Sequence, residues 1–186
     1  MNDKMEWNWN YDIVGIVSKS QSGKTTLIKK LIKNAGISKD DIYIFDTNFE
    51  YKEYKNNTYT INYNKSALNE FVMKIRKQKD KLVIFEDIDL FQPAYAKAFH
   101  DLLVNGKHQY IGIIYTTRRV RYLNPLTLSM TDFLIFSKFI PLSDLKMIKD
   151  TINRIDFKID EKKISQLKLY EFYMVNASKD IQEIVK

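Results

Sequence analysis

Residues 13–27 read IVGIVSKSQSGKTTL, and this stretch decides the fold. Ile13, Val14, Ile16 and Val17 form a short apolar run of the kind that makes a buried strand. A small polar loop, Ser18–Gly23, follows. Lys24-Thr25-Thr26 then opens a helical pattern. Strand, loop and helix are the setting that the phosphate-loop pattern G-x-x-x-x-G-K-[ST] requires. Consecutive backbone N–H groups can wrap an anion, and the helix N-terminus adds positive partial charge. The candidate phosphate-binding residues are therefore Lys19, Ser20, Gln21, Ser22, Gly23, Lys24, Thr25 and Thr26. Lys24 can reach a β- or γ-phosphate, and the Thr25 hydroxyl can ligate Mg²⁺. Ser18 stands where the pattern has its first glycine, which alters the loop entry. The competing reading is an ordinary serine-rich turn before a helix.

At 186 residues the chain is expected to be one domain, with an N-terminal arm over 1–11 and a C-terminal tail over 177–186. A content of 45% hydrophobic and 28% charged residues is that of a globular protein. No apolar run approaches the ~20 residues needed to span a bilayer. The first residues, MNDKMEWNWNYD, are polar and aromatic, unlike a signal peptide. There are no cysteines, so disulfides and thiolate metal sites are excluded, and a cytosolic setting is favoured. A net charge of +7 suits a polyanionic partner such as nucleic acid. A lysine-rich surface that only keeps the chain soluble fits that charge equally well.

Along the chain, apolar runs alternate with helical patterns. The spacing predicts a helix over 24–34, ended by Ala35-Gly36, and a strand over 41–45. A short strand at 59–63 and a helix capped by Ser66 and running to 77 come next. A strand at 82–85, a helix over 94–104, and strands at 111–116 and 133–136 follow. Helices over 143–155 and 160–167, a late strand at 170–175 and a charged tail complete the series. Continuously apolar strands alternating with helices mark a parallel sheet covered on both faces. In such sheets ligands bind beyond the carboxyl ends of the strands, where the polar clusters fall.

Glu86 and Asp87 stand at the tip of the third apolar strand. One acid there can hold Mg²⁺ and the other can orient and deprotonate water. Position assigns Glu86, with Thr25, to the metal and Asp87 to the water. Asp89 is a further candidate, and an exposed acidic turn is the bland alternative. Thr116 and Thr117 end the fourth strand, where a polar residue can sense a γ-phosphate. Arg118 and Arg119 follow and can stabilise transferring charge, in cis or across a subunit boundary. A basic surface loop explains either arginine equally well.

These segments resemble the FtsK–HerA superfamily of DNA-pumping ATPases. Asp46-Thr47-Asn48-Phe49-Glu50-Tyr51 is similar to the family's D-P-x-x-E-Y segment. Thr116-Thr117-Arg118-Arg119 is similar to its T-Q-R-P segment. Leu123, Leu126, Thr131 and Asp132 resemble the stretch that precedes its next strand. The departures are Ser18 for Gly, Thr47 for Pro, Glu86-Asp87 in inverted order and Thr117 for the sensor Gln. The resemblance covers about residues 11–176 and is nearest the viral genome-packaging branch. It implies an α/β fold: a three-layer RecA-like P-loop NTPase core with a mostly parallel sheet.

The same resemblance implies ATP and Mg²⁺ as cofactors and Lys24, Glu86, Asp87, Thr117, Arg118 and Arg119 as catalytic residues. It implies a homo-oligomeric ring, pentamer or hexamer, that drives double-stranded DNA into a capsid. Capsid or membrane-vertex proteins are then the partners, and the host cytoplasm or the virion the location. Candidate DNA contacts are Lys97, Lys107, His108, Arg119 and Arg121, with Lys107 and His108 on a loop that suits a mobile lever. An exposed turn residue is the simpler reading of His108. The alternative function is a small P-loop nucleoside or nucleotide kinase. A third is a nucleotide switch that binds without turnover.

Overall fold

Alternate residues of five adjacent strands serve two separate cores, and that alternation sets the layers. The computed structural model describes residues 6–59, 65–91, 97–152, 159–177 and 182–185. In chain order the strands are β1 (Ile13–Val17), β2 (Ile42–Asp46), β3 (Asn56–Tyr59) and β4 (Lys81–Phe85). They continue as β5 (Ile111–Thr117), β6 (Phe133–Ser137), β7 (Phe172–Asn176) and β8 (Gln182–Val185). The helices are α1 (Lys24–Ala35), α2 (Lys65–Ile75), α3 (Lys97–Asn105), α4 (Pro125–Ser129), α5 (Leu142–Ile152) and α6 (Glu161–Gln166).

The strands form one sheet in the order β3-β2-β4-β5-β1-β6-β7-β8. Neighbours from β3 to β6 pair parallel; β7 and β8 are antiparallel additions. Val83 and Phe85 of β4 face one core, with Phe45, Phe71, Phe91 and Phe99. Leu82 and Ile84 face the other, with Leu27, Ile28 and Ile32 of α1. β1, β2 and β6 split their side chains in the same way. Strands buried on both faces have no room for polar alternation, so they read as unbroken apolar runs. The three-layer, mostly parallel architecture matches the expectation, and β5 lies between β1 and β4 as that fold requires.

Several element limits differ from the sequence reading. β3 is Asn56–Tyr59, beginning three residues before the strand expected at 59–63, of which 60–63 lie outside the described residues. Its residues, NNTY, carry no apolar signal, because this edge strand is defined by backbone pairing of Asn56 with Tyr43 through Tyr59 with Asp46. Ser66 lies inside α2 rather than capping it, and its hydroxyl bonds Glu70 at 2.9 Å. The expected helix starts at 94–96 and ends at 153–155 also lie outside the described residues. The charged tail is not a simple tail: Gln182–Val185 pairs with β7.

In the described part of the N-terminal arm, Trp7 and Trp9 are partly buried against the α1-side core. Its backbone crosses β5 at Gly112. A Cβ there would lie 2.0 Å from the Trp9 carbonyl oxygen. Gly112→Ala is therefore expected to lift the arm and cost ~1–3 kcal/mol, as overpacked sites do. Urea unfolding and tryptophan emission check this; an unchanged midpoint with unchanged emission would contradict the packing.

Candidate active site

The carboxyl ends of β1, β2, β4 and β5 meet on one rim, and each contributes a loop to the same cleft. The loop after β1 carries left-handed backbone at Gln21 (φ +61°) and Gly23 (φ +91°). Alternating handedness turns successive N–H groups inward and makes an anion nest. Among the described residues, the N–H groups of Lys19–Thr26 donate to no protein acceptor. Gly23 has no room for a side chain: a Cβ would stand 2.8 Å from the Tyr170 ring. Ser18, by contrast, is buried and well used. Its hydroxyl forms a chain with those of Ser22 and Ser137, the latter at 2.6 Å, and its N–H donates to the Thr117 carbonyl at 3.0 Å. Serine in place of glycine thus adds a side-chain tie from the loop to β6, beside the backbone bond to β5 that any residue would make.

The side chains converge on a cleft of about 440 Å³. Lys24 Nζ donates to the carbonyls of Ser18 (3.3 Å) and Lys19 (3.1 Å) and lies 3.7 Å from Asp87 Oδ1. The Thr25 hydroxyl bonds Glu50 and also Glu86 Oε1, the latter at 3.3 Å. Asn48 bridges the acid pair, donating through Nδ2 to Glu86 (3.1 Å) and Asp87 (3.3 Å). Tyr51, fully buried, donates its hydroxyl to Glu86 at 3.1 Å. Arg118 donates to Asp87 Oδ2 at 2.7 Å, and the Asp87 N–H donates to the Thr116 hydroxyl at 2.7 Å. Asp87 holds a left-handed φ of +43°, a strained setting for a side chain with a Cβ.

The two adjacent acids are pushed in opposite directions. Burial first, then the carboxylates of Glu50, Asp87 and Asp46, raise Glu86 to about 7. Burial would raise Asp87 too, but the Arg118 hydrogen bond and the Lys24 charge outweigh it and hold Asp87 below its ordinary value. Asp89 is raised, chiefly by burial, while its carboxylate accepts the Arg118 N–H at 3.2 Å. The rim therefore carries one firmly ionised carboxylate beside one that readily keeps a proton.

The remaining sequence-predicted residues lie around this centre in differing ways. Ser20, Gln21, Gly23, Lys24, Thr25 and Thr26 line the cleft with Glu86 and Asp87. Lys19 instead points its amine over the Phe139 ring, 5.9 Å from the centroid. Thr117 is buried, and its hydroxyl closes a turn with the Arg119 backbone at 3.1–3.2 Å. Arg119 grips buried Asp144 with two bonds of 3.2 Å, and the same carboxylate accepts the Val120 N–H. Lys107 and His108 sit at the opposite end of β5. The expected lever is a 3₁₀ turn over Gly106–Gln109, and Lys107 Nζ is bound to Asp132 at 2.8 and 3.0 Å. His108 and Arg121 are exposed, and Arg121 stacks on Tyr122. Lys97 begins α3 and is exposed.

Asp46–Tyr51 carries no assignable roles in the sequence alone. Buried Asp46 organises that loop, accepting the N–H groups of Asn48, Glu50 and Tyr51 at 3.0–3.3 Å. Asn48, Glu50 and Tyr51 can then reach the acids. Their signals in the sequence are the likeness to the D-P-x-x-E-Y pattern and the alternation of polar side chains just past a strand. Asp144 and Tyr170 had none, since each acts through a loop distant in sequence.

The chain's residues fit Mg²⁺ and a triphosphate. Thr25 and Glu86 supply hard oxygens side by side, and Asp87 Oδ1 is buried without a hydrogen-bond donor. Among the described residues no group of three or more His, Cys, Asp or Glu is placed to hold a metal ion by itself. The raised Glu86 also has a consequence for stability. An acid whose folded value lies above its ordinary 4.5 stabilises the fold at low pH and loses that contribution as pH rises from about 4.5 to about 7. The nucleotide-free protein is expected to lose at most ~3 kcal/mol across that window, and Glu86→Gln to remove the slope. Parallel pH–denaturant series test this; identical slopes in both proteins would contradict the buried, crowded carboxyl.

No protein-family model matches the chain, and no curated protein sequence matches it. Solved structures do. One is the genome packaging NTPase B204 of Sulfolobus turreted icosahedral virus 2 in complex with AMPPCP, at TM-score 0.75 and 22% identity, covering 95% of this chain and 98% of that one. Another is B204, the DNA-packaging ATPase of Sulfolobus turreted icosahedral virus, at TM-score 0.71 and 23% identity, covering 94% and 97%. The N-terminal domain of zonular occludens toxin from Neisseria meningitidis aligns at TM-score 0.58 and 15% identity, covering 95% and 94%. The fold of this chain is thus the α/β P-loop NTPase fold, shared nearly end to end with viral genome-packaging enzymes.

Proposed function

We propose that this chain is an ATP-hydrolysing translocase of double-stranded DNA that works as a homo-oligomeric ring and packages a viral genome. The observation that carries the reading is the meeting of Lys24, Thr25, Glu86 and Asp87 around one cleft. The N–H nest of Lys19–Thr26 binds the phosphates, and Lys24 reaches across to the β- and γ-groups. Mg²⁺ would be held by Thr25 and Glu86 and would supply positive charge to the phosphate oxygens. Glu86 would have to be ionised to hold it. Asp87, kept ionised by Lys24 and Arg118, has an unbonded oxygen to accept a proton from the attacking water. Arg118 acts in cis, orienting Asp87 and facing the transferred group. Arg119 acts on the loop rather than the phosphate, through its fork on Asp144.

The basic balance of +7 supports sequence-independent contact with the DNA backbone. Arg121 and His108 are free to make such contacts from opposite ends of β5, whereas Lys107 is committed to Asp132. Ring assembly as a pentamer or hexamer, capsid-vertex partners and a host-cytoplasmic or virion setting belong to the same proposal. The nearness in fold to packaging NTPases supports it.

The deciding experiment is ATP hydrolysis with and without duplex DNA, alongside solution mass. Stimulation by duplex is expected; phosphate transfer to a nucleoside would favour a kinase, and binding without turnover a switch. Lys24→Ala is expected to abolish turnover, and Asp87→Asn to bind ATP while losing at least ~10²-fold in rate. Arg118→Ala is expected to stay inactive when mixed with Lys24→Ala subunits; recovered activity in mixed assemblies would place the arginine in trans. Arg121→Ala is expected to lower the salt slope of duplex binding by about one, with an unchanged slope removing it from the interface.

A further inference from the structure

An apolar pocket of about 170 Å³ opens beside the phosphate cleft, lined by Gly23, Thr26, Leu27, Lys30, Tyr170 and Phe172. Gly23, Thr26 and Tyr170 line both spaces, so the two adjoin. We propose that this pocket takes the nucleobase and that the Tyr170 ring is its stacking platform. The inference rests on the nucleotide reading of the cleft.

Tyr170 is 60% exposed, an uncommon setting for a ring held against a core strand. It is held there at some cost. Its φ is +66°, in the left-handed region that residues with a Cβ seldom adopt. The turn that imposes this is closed twice: the Glu171 N–H donates to the Lys168 carbonyl at 3.1 Å, and the Lys168 N–H to the Glu171 carboxylate at 2.9 Å. β7 begins two residues later, where Phe172 pairs with Ser137 of β6. Ser137 in turn is bonded to Ser18 at the base of the phosphate loop. The ring is therefore fixed to the same scaffold that fixes the cradle. Its Cδ1 lies 2.8 Å from the place of a Gly23 Cβ, so the last glycine of the loop makes room for this ring as well as for phosphate.

The chemistry of the lining says how a base would be held. Leu27, Phe172 and Tyr170 offer apolar surface beside the Thr26 hydroxyl and the Lys30 amine, and among the described residues no carboxylate or amide side chain lines the pocket. A flat aromatic system is then recognised by its face, through stacking on a preorganised ring. The volume is in the range where apolar cavities admit a single ring system. A purine joined through its sugar to a triphosphate in the cradle meets both spaces at once.

The test compares MgATP with magnesium tripolyphosphate, which has no base, by calorimetry. Wild type is expected to bind MgATP more tightly than tripolyphosphate. Tyr170→Ala is expected to weaken MgATP by about ten-fold while leaving tripolyphosphate unchanged. Tyr170→Phe is expected to keep wild-type affinity for both. Equal binding of the two ligands by wild type, or unaltered MgATP affinity in Tyr170→Ala, would overturn the base assignment alone. Parallel loss of both ligands in Tyr170→Ala would make the ring part of the cradle and overturn it too. Failure of wild type to bind tripolyphosphate or MgATP would instead overturn the nucleotide reading, and this inference with it.

Discussion

Two buried carboxylates on consecutive residues cannot both carry unrelieved charge, and the architecture of the rim follows from how that conflict is resolved. Asp87 receives the cations, Lys24 and Arg118. Glu86 receives neutral donors, the Tyr51 phenol, the Asn48 amide and the Thr25 hydroxyl. The left-handed turn at Asp87 is what lets neighbours in sequence point into these different surroundings. Neutral donors stabilise a carboxylate less than a guanidinium does, so burial wins at Glu86 and loses at Asp87. A site sorted in this way sets a carboxylate held below its ordinary value beside one pushed up to about 7.

The sheet makes this sorting possible. β1 lies between β5 and β6, and β4 lies beyond β5, so the loops after β1, β4 and β5 share one edge. Parallel pairing brings all their carboxyl ends to the same side. The two cores above and below leave the central strands nowhere to shift, since every residue of β1, β2, β5 and β6 is buried. Loops that carry charge are thereby mounted on a rigid frame. Hydrogen bonds then knit them to one another: Ser18 to Ser137, Asp46 to the 48–51 backbone, and Asp144 to Arg119 and Val120.

Much of this was legible in the chain. The phosphate loop, the acid pair after an apolar run and the strand–helix alternation are local patterns, and each follows from backbone geometry within a few residues. The Asp46–Tyr51 segment was visible as a similarity, while its wiring was not. Asn48 reaches Asp87 across 39 residues and Thr25 reaches Glu86 across 61. Arg119 looked as suitable for catalysis as Arg118, because nothing near either arginine reveals Asp144. β3 starts earlier than its residues suggest for a related reason: a polar edge strand owes its start to its partner rather than to its own residues.

Local order, then, was written in the residues themselves: apolar period, glycine at a left-handed turn, and acids at a strand tip. Which charge met which, how the ring of Tyr170 came to rest on Gly23, and where Lys107 spent its amine depended on segments that are neighbours only in space. Packing acts within a few ångströms and charge pairs within about ten, so their outcome is set by chain topology and cannot be read from spacing along the sequence.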